Sequence, residues 1–316
     1  MSYHHISVMP NEVLAYLDPK PGRLYVDCTV GGTGHSGRIV REILPDGLLI
    51  GIDRDSDALG NAETVLKPFL TNIRLFHDNF IRLPAILEKL QIESVDGILL
   101  DLGLSFNQIE NSGRGFSFGK DEFLDMRMDA RSGITAYDIV NDMDEKKLSD
   151  IFFRYGEERF SRRIAERIVL SRKKNTIRTS RELATIVAGA IPYAHSKKQK
   201  IHPATRVFMA LRIAVNNELE NLETFLGNVA ELLKPGGRLL VISFHSLEDR
   251  IVKHWIRNLE SPCVCPPQFP ECVCGKKPVV RAVTRKAVLP DQREIDLNPM
   301  ARSARLRVAE KLASVS

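Results

Sequence analysis

Val26-Asp27-Cys28-Thr29-Val30-Gly31-Gly32-Thr33-Gly34-His35-Ser36-Gly37, followed by Leu48-Leu49-Ile50-Gly51-Ile52-Asp53, is the stretch whose reading decides the fold. A short apolar run ending in an acid reads as a buried parallel strand. Glycines then let the backbone turn sharply and approach a ligand, and His35 to Leu44 carries helical spacing until Pro45-Asp46-Gly47 stops it. The second apolar run ends in Asp53, about 20 residues past the glycine turn, where a carboxylate can accept hydrogen bonds from both hydroxyls of a ribose.

Two cofactors compete for such a pocket. Gly32-x-Gly34-x-x-Gly37 is a literal dinucleotide fingerprint and suits a nicotinamide enzyme as well as a methyltransferase. Asp27 tips the balance. A carboxylate at the end of the first strand repels pyrophosphate but can hold the ammonium of S-adenosyl-L-methionine, so the sulfonium donor is favoured.

The 316 residues exceed a typical single domain, and 43% hydrophobic content supports a proper core. No N-terminal stretch resembles a signal peptide and no apolar run is long enough to span a bilayer, so a cytoplasmic protein without membrane attachment is expected. Five cysteines, an odd number, argue against a disulfide framework. Charge is unevenly spread. Between Arg154 and Arg212 stand fifteen Lys or Arg against four acids, a balance of +11, leaving −6 for the rest of a chain whose net charge is +5. Arg172-Lys173-Lys174 and Lys197-Lys198-Gln199-Lys200 are clusters of the kind that neutralise phosphates, although an ordinary basic surface is the alternative.

Strand and helix signals alternate through Leu24 to Cys28, Leu48 to Asp53, Ile73 to Phe76 and Val95 to Asp101, the rhythm of a parallel sheet. After Asn111-Ser112-Gly113-Arg114-Gly115 the pattern turns helical until about Asn217. A long helix from about Pro203 to Leu233, a stop at Lys234-Pro235-Gly236-Gly237, a strand Arg238 to Phe244, a helix from Ser246 and a closing strand Ser303 to Ala309 follow. The expected organisation is a discontinuous sheet domain, 1–112 and 217–316, with a basic, all-helical, RNA-binding domain at 113–216 inserted into it.

Asp101 follows the fourth strand and so falls at the carboxyl edge of the sheet, where a methyl-accepting atom belongs. A carboxylate there can accept the N–H bonds of an exocyclic amine and stabilise the charge that develops on it; capping the strand end is the alternative. Phe80 reads either as a lid over adenine or as core. Ser243 and His245 end a late strand on the same edge. His245 can take a proton after transfer, while Ser246 reads as an N-cap with Asp249 three residues on. Phe106 or Phe244 can stack on a target base. Cys263-x-Cys265 and Cys272-x-Cys274 offer four thiols that can bind zinc tetrahedrally, although zinc sites usually have two residues between paired ligands; a zinc-stapled loop and a proline-stiffened loop with free thiols both stay open, the second being the more cautious reading, and no metal residue is assigned.

Over nearly its whole length the chain resembles the bacterial 16S ribosomal RNA cytosine-N4 methyltransferase family. The resemblance rests on His5-Ile6-Ser7-Val8-Met9, Asp27-x-Thr29 with Gly34-His35-Ser36, Asp101-Leu102-Gly103-Leu104-Ser105 with Gln108, and Arg114-Gly115-Phe116-Ser117-Phe118. It continues through Leu124 to Asp129, His202-Pro203-Ala204-Thr205-Arg206, Ala210 to Asn216, Ser243 to Arg250 and Arg302 to Arg307. It implies a Rossmann-like class I methyltransferase fold, a doubly wound α/β sheet with an inserted all-helical domain. It also implies S-adenosyl-L-methionine as donor, contacted by Thr33, Gly34, His35, Asp53, Phe80, Asp101 and Gln108. The acceptor it implies is the N4 amine of the cytidine at position 1402 of 16S rRNA in the small ribosomal subunit. The helical surface can also make a homodimer. A nicotinamide-dependent oxidoreductase and a non-catalytic ribosome-assembly factor are the competing functional readings, the first opposed by Asp27 and the second by the intact acids Asp27, Asp53 and Asp101.

Overall fold

The computed structural model describes residues 7–131, 133–192, 201–266, 268, 271 and 273–313. Its strands are β1 (Leu24–Asp27), β2 (Leu48–Asp53), β3 (Ile73–His77), β4 (Val95–Asp101), β5 (Leu233–Ser243), β6 (Val280–Ala282) and β7 (Arg305–Lys311). The helices are α1 (Pro10–Leu17), α2 (Gly34–Glu42), α3 (Ser56–Val65), α4 (Leu83–Lys89), α5 (Phe106–Glu110), α6 (Ala136–Asp142) and α7 (Glu145–Arg154). They continue with α8 (Ser161–Arg172), α9 (Ser180–Ala190), α10 (Thr205–Asn216), α11 (Glu218–Val229), α12 (Ser246–Glu260) and α13 (Gln292–Leu297). Two compact units result, Met1–Gly103 with Glu220–Ser316, and Leu104–Leu219. The sequence reading set the boundaries at 112/113 and 216/217.

In the first unit the strands form one sheet in the order β3-β2-β1-β4-β5-β7-β6. β1 to β5 pair in parallel, and β7 runs antiparallel to β5 and β6. This is a Rossmann-like class I sheet with an antiparallel edge. Alternate side chains go to opposite faces, which is why the strands read as continuous apolar runs. Val26, Ile50, Ile98, Leu100 and Val241 join one buried layer, with Leu83 and Phe225. Tyr25, Leu49, Leu99, Leu240 and Ile242 join the other, with Val13, Ile39 and Val308. Each such burial is worth about 1.5–3 kcal/mol. The order reverses at β1, flanked by β2 and β4, and a doubly wound sheet opens its ligand crevice at that switch point, beyond the carboxyl ends of the strands.

The second unit carries α5 to α10 around a core that includes Leu148, Phe152, Ile164, Ile168, Leu183 and Leu211. Capping boxes start α5 (Ser105 with Gln108), α6 (Thr135 with Asp138) and α9 (Thr179 with Glu182).

Three details depart from the sequence reading. The expected long helix is two, α10 and α11, because Asn217 adopts a left-handed conformation (φ 49°, ψ 42°) that asparagine tolerates. Lys234 to Gly237 does not end the preceding element but lies within β5, whose pairing with β4 shifts register between Val95 and Gly97. Helix α1, helix α13 and the short strand β6 had no reading at all.

Candidate active site

The turn after β1 is built around Asp27. Its Oδ1 accepts the Thr29 N–H (3.1 Å) and its Oδ2 accepts the Ser36 hydroxyl (2.5 Å). The carboxylate is fully enclosed, and desolvation pushes its pKa up to about 6 despite the opposing Ser36 hydrogen bond. This placement corrects the expectation that Asp27 holds a donor ammonium directly: it is a buried strut that fixes the turn. Gly31, at φ 46°, sends its N–H to Asp53 Oδ2 (2.8 Å), and Asp55 N–H donates to Asp53 Oδ1 (2.9 Å). Asp53 is half-buried at the carboxyl end of β2, and loss of hydration pushes its pKa up to about 6 as well. The Arg54 backbone also donates to this carboxylate, which as an ion has about four acceptor sites. Thr33 sits at φ 70°, a strained position for a β-branched residue that costs about 1–3 kcal/mol and is typical of ligand-binding turns.

Next to this turn lies a group of polar atoms that protein alone does not satisfy. Ser7 Oγ, both ring nitrogens of His35 and Asp101 Oδ1 are buried without a hydrogen-bond partner. His35 Nε2 lies 3.5 Å from Asp101 Oδ2, too far for a good hydrogen bond, with the two side chains only 5% and 14% exposed. Asp101 N–H donates to Thr29 Oγ1 (2.8 Å), which ties the end of β4 to the β1 turn. Gly34 packs closely on Ser7: a Cβ there would stand 1.9 Å from Ser7 Oγ and 3.1 Å from its Cβ, so a side chain would force the Ser7 hydroxyl to turn away. Orphaned polar atoms of this kind call for a partner, and a polar ligand lying over the Thr33-Gly34-His35 turn supplies it. The donor set suits S-adenosyl-L-methionine: an acid at Asp53 for a ribose, and a turn at the amino end of α2 for a carboxylate.

The other expected residues have different surroundings. Phe80, 6% exposed, follows β3 and is packed against the core with its ring edge-on to Phe225 (5.3 Å between centroids, 80° between planes). Ser243 is buried and its hydroxyl turns to the Arg305 carbonyl (3.4 Å). His245, rather than Ser246, is the N-cap of α12, and Glu248, rather than Asp249, closes the capping box. His245 Nδ1 accepts the Glu248 N–H (3.4 Å), and Nε2 stands 3.1 Å from Glu248 Oε1 but off the line a hydrogen bond needs. The ring therefore caps the first turn of α12 through Nδ1, while Nε2 is buried beside the Glu248 carboxylate without a hydrogen-bond partner. Asp249 instead makes a two-pronged pair with Arg307 (2.7 and 3.1 Å). Phe244 is half-buried, its ring 3.1 Å from where a Gly103 Cβ would be; Phe106 is exposed. Gln108 lies in the second unit, where its Oε1 accepts the Ser105 N–H (2.9 Å). Ser7 and Thr29 escaped the residue-level reading, because a lone hydroxyl residue outside any periodic segment carries no signal.

In the helical unit the basic residues divide. Arg154, Arg159, Arg162, Arg163, Arg167, Lys173, Lys174, Arg178 and Arg181 are exposed. Arg172 is not available to phosphate: its guanidinium donates to the carbonyls of Val140 (2.7 Å) and Met143 (2.6 Å) at the end of α6. Arg212 is paired with Glu218 (2.8 and 2.7 Å). The cluster Lys197, Lys198 and Lys200, with His5, Ile6 and Cys272, lies outside the described residues. Among the described residues no helix is long and apolar enough to cross a membrane.

Residues 2–312 match the MraW methylase family. A ribosomal RNA small subunit methyltransferase H from Desulforapulum autotrophicum is 58% identical over 309 residues, covering 98% of this chain and 99% of that protein. Proteins of the same name from Desulfosudis oleivorans and Brevibacillus brevis are 54% and 46% identical over 312 residues, each covering 99% of this chain and 100% and 99% of their own lengths. Among solved structures, a rRNA methylase described as putative from Clostridium thermocellum aligns with a TM-score of 0.47 at 11% identity, over 98% of this chain and all of that one.

Proposed function

The chain belongs to the MraW methylase family and is an S-adenosylmethionine-dependent rRNA methyltransferase; within that activity we propose that it methylates the N4 amine of the cytidine at position 1402 of 16S rRNA. The observation that carries the site is the set of orphaned atoms on Ser7, His35 and Asp101 around a Gly34 packed closely on Ser7. The bound donor supplies an electrophilic methyl group on a sulfonium. Asp53 receives the ribose hydroxyls, and the Thr33-Gly34-His35 turn faces the amino-acid end. Asp101 Oδ1 accepts an N–H of the cytosine amine. An exocyclic amine is a poor nucleophile because its lone pair is delocalised into the ring, so a carboxylate that stabilises the positive charge developing on nitrogen, and then takes the departing proton, lowers the barrier.

The exposed basic face of the helical unit supports a second part of the proposal, that this unit holds the RNA. RNA is read mainly at unstacked bases, which suits an amine that must meet its donor in line. Nothing in the relatives favours a nicotinamide enzyme or a non-catalytic assembly factor. Incubating the protein with isotopically labelled donor and small subunits lacking the modification, then digesting the RNA for mass spectrometry, tests the proposal. Label in N4-methylcytidine at position 1402 is the expected result; label on another atom or another nucleotide overturns it.

A further inference from the structure

The segment between α12 and β6 holds a feature that methyl transfer does not use. Its ends are drawn together: Val279 N–H donates to the Leu259 carbonyl (2.9 Å) and Ala282 N–H to Glu260 Oε1 (2.8 Å). Between them no described residue from 261 to 278 is buried and none lies in a helix or strand. A loop of this length without an apolar core of its own needs another source of order. The sequence repeats Cys-Val-Cys, at Cys263-Val264-Cys265 and Cys272-Val273-Cys274. In extended chain the two cysteines of such a triplet face one side and the middle residue the other. The valines are turned out, Val264 68% and Val273 73% exposed, although an apolar side chain gains nothing there. The sulfurs of Cys263, Cys265 and Cys274 all lie within 4.8 Å of one another. Thiolates bound to one tetrahedral zinc, with bonds of about 2.3 Å, stand about 3.8 Å apart.

We propose that Cys263, Cys265 and Cys274 bind a zinc ion that staples this loop, a structural site separate from the donor pocket. The chemistry favours zinc over harder cations, because thiolates select zinc, copper(I) or iron–sulfur clusters, whereas calcium and magnesium take oxygen. Binding deprotonates the coordinating thiols and releases those protons to solvent. The one-residue spacing that argued against a metal applies to each pair alone; here two distant triplets share the ion, and the ring closes through Cys265 and Cys274 rather than within one pair. Cys272 repeats the pattern in sequence and lies outside the described residues, so the proposal rests on the three.

The test is elemental analysis of the full-length protein purified with a phosphine reductant, alongside titration with an organomercurial. About one zinc per chain is expected, released in step with mercaptide formation. Cys263→Ser and Cys274→Ser should each lower zinc content about tenfold, while far-UV circular dichroism stays unchanged. Trypsin cleavage after Lys276 should appear on chelation and be suppressed by added zinc. The titration and the proteolysis use unmodified protein, so the proposal stays testable if a variant fails to fold. Less than about a tenth of a zinc per chain, both as purified and after anaerobic zinc addition and desalting, overturns it. So does bound iron with sulfide, or tryptic cleavage that ignores zinc.

Discussion

The two units handle charge in opposite ways. In the sheet unit the acids sit at strand ends with water removed and backbone N–H groups aimed at them: Asp27 with Thr29, Asp53 with Gly31 and Asp55. In the helical unit exposed positive charge stands in solvent along α8 and the turn that follows it, at Arg162, Arg163, Arg167, Lys173 and Lys174. Buried, pre-oriented groups give a small-molecule pocket that salt hardly affects, while exposed cations give a polyanion surface whose grip falls steeply with ionic strength. The exceptions sharpen the contrast. Arg172 and Arg212 belong to the basic segment by sequence but cap carbonyls or pair with Glu218, so net charge overstates the surface available to phosphate.

The largest expected effect breaks one unit alone. Phe152 is fully buried in the helical core, and Phe152→Ala should lower that unit's stability by about 3–5 kcal/mol. Denaturant unfolding followed by hydrogen exchange should place the loss in α7 and α8, with β1 to β5 protected as before. Uniform loss of protection would mean that the units unfold as one. Next comes the chemistry: Asp101→Ala should reduce kcat by about 10²–10³, with a smaller change in adenosylhomocysteine affinity. Turnover within a few-fold of normal would leave Asp101 as no more than a strand cap.

A smaller effect is set by pH. Burial raises the carboxyls of Asp27 and Asp53 from 3.8 to about 6, so the folded chain holds these protons more tightly than the unfolded one. The stability from protonation is full below the unfolded value and is lost as pH rises through about 6. Urea unfolding from pH 4 to pH 7 should show this decline, and Asp27→Asn should flatten it. Donor binding has the reverse sign at Asp53, because ribose hydroxyls donate to the ionised form. Calorimetric affinity for adenosylhomocysteine should fall several-fold between pH 7.5 and pH 5.5, and an affinity constant across that range would remove Asp53 from the ribose.

Much of the sheet unit was legible because its candidate site residues sit where continuous apolar runs end: Val26-Asp27, Ile52-Asp53 and Leu100-Asp101 each announce a buried strand and an acid at its carboxyl end. What each acid does was less legible, since Asp27 and Asp53 carry the same side chain and only packing distinguishes a sealed strut from a half-open ligand group. Local backbone states were also hidden. Asn217 gives no sequence sign that it turns left-handed and splits a helix, and His245 displaced the better-looking Ser246 as cap because Glu248 reaches back to the Phe244 and His245 N–H groups (2.8 and 3.4 Å). Phe80 read as a lid or as core because it follows β3, and its packing on Phe225, which comes from distant sequence, was not legible. The cysteine segment stayed open between a metal and plain thiols for the same reason: the spacing within each pair is visible in the chain, whereas the approach of Cys274 to Cys263 and Cys265 is not.

The central claim is a division of labour, with donor binding in the sheet unit and RNA binding on the helical one. Its most direct test measures both affinities in two variants, Asp53→Ala and the double substitution Arg162→Glu with Arg163→Glu. Loss of hydrogen bonds to a charged group should weaken adenosylhomocysteine binding about 10- to 100-fold in the first variant and leave the KM for small-subunit RNA unchanged. In the second, that KM should rise several-fold and its salt dependence should become shallower, with adenosylhomocysteine affinity unchanged. If the arginine variant binds RNA as the parent does, or if each variant shifts both affinities together, the account is contradicted.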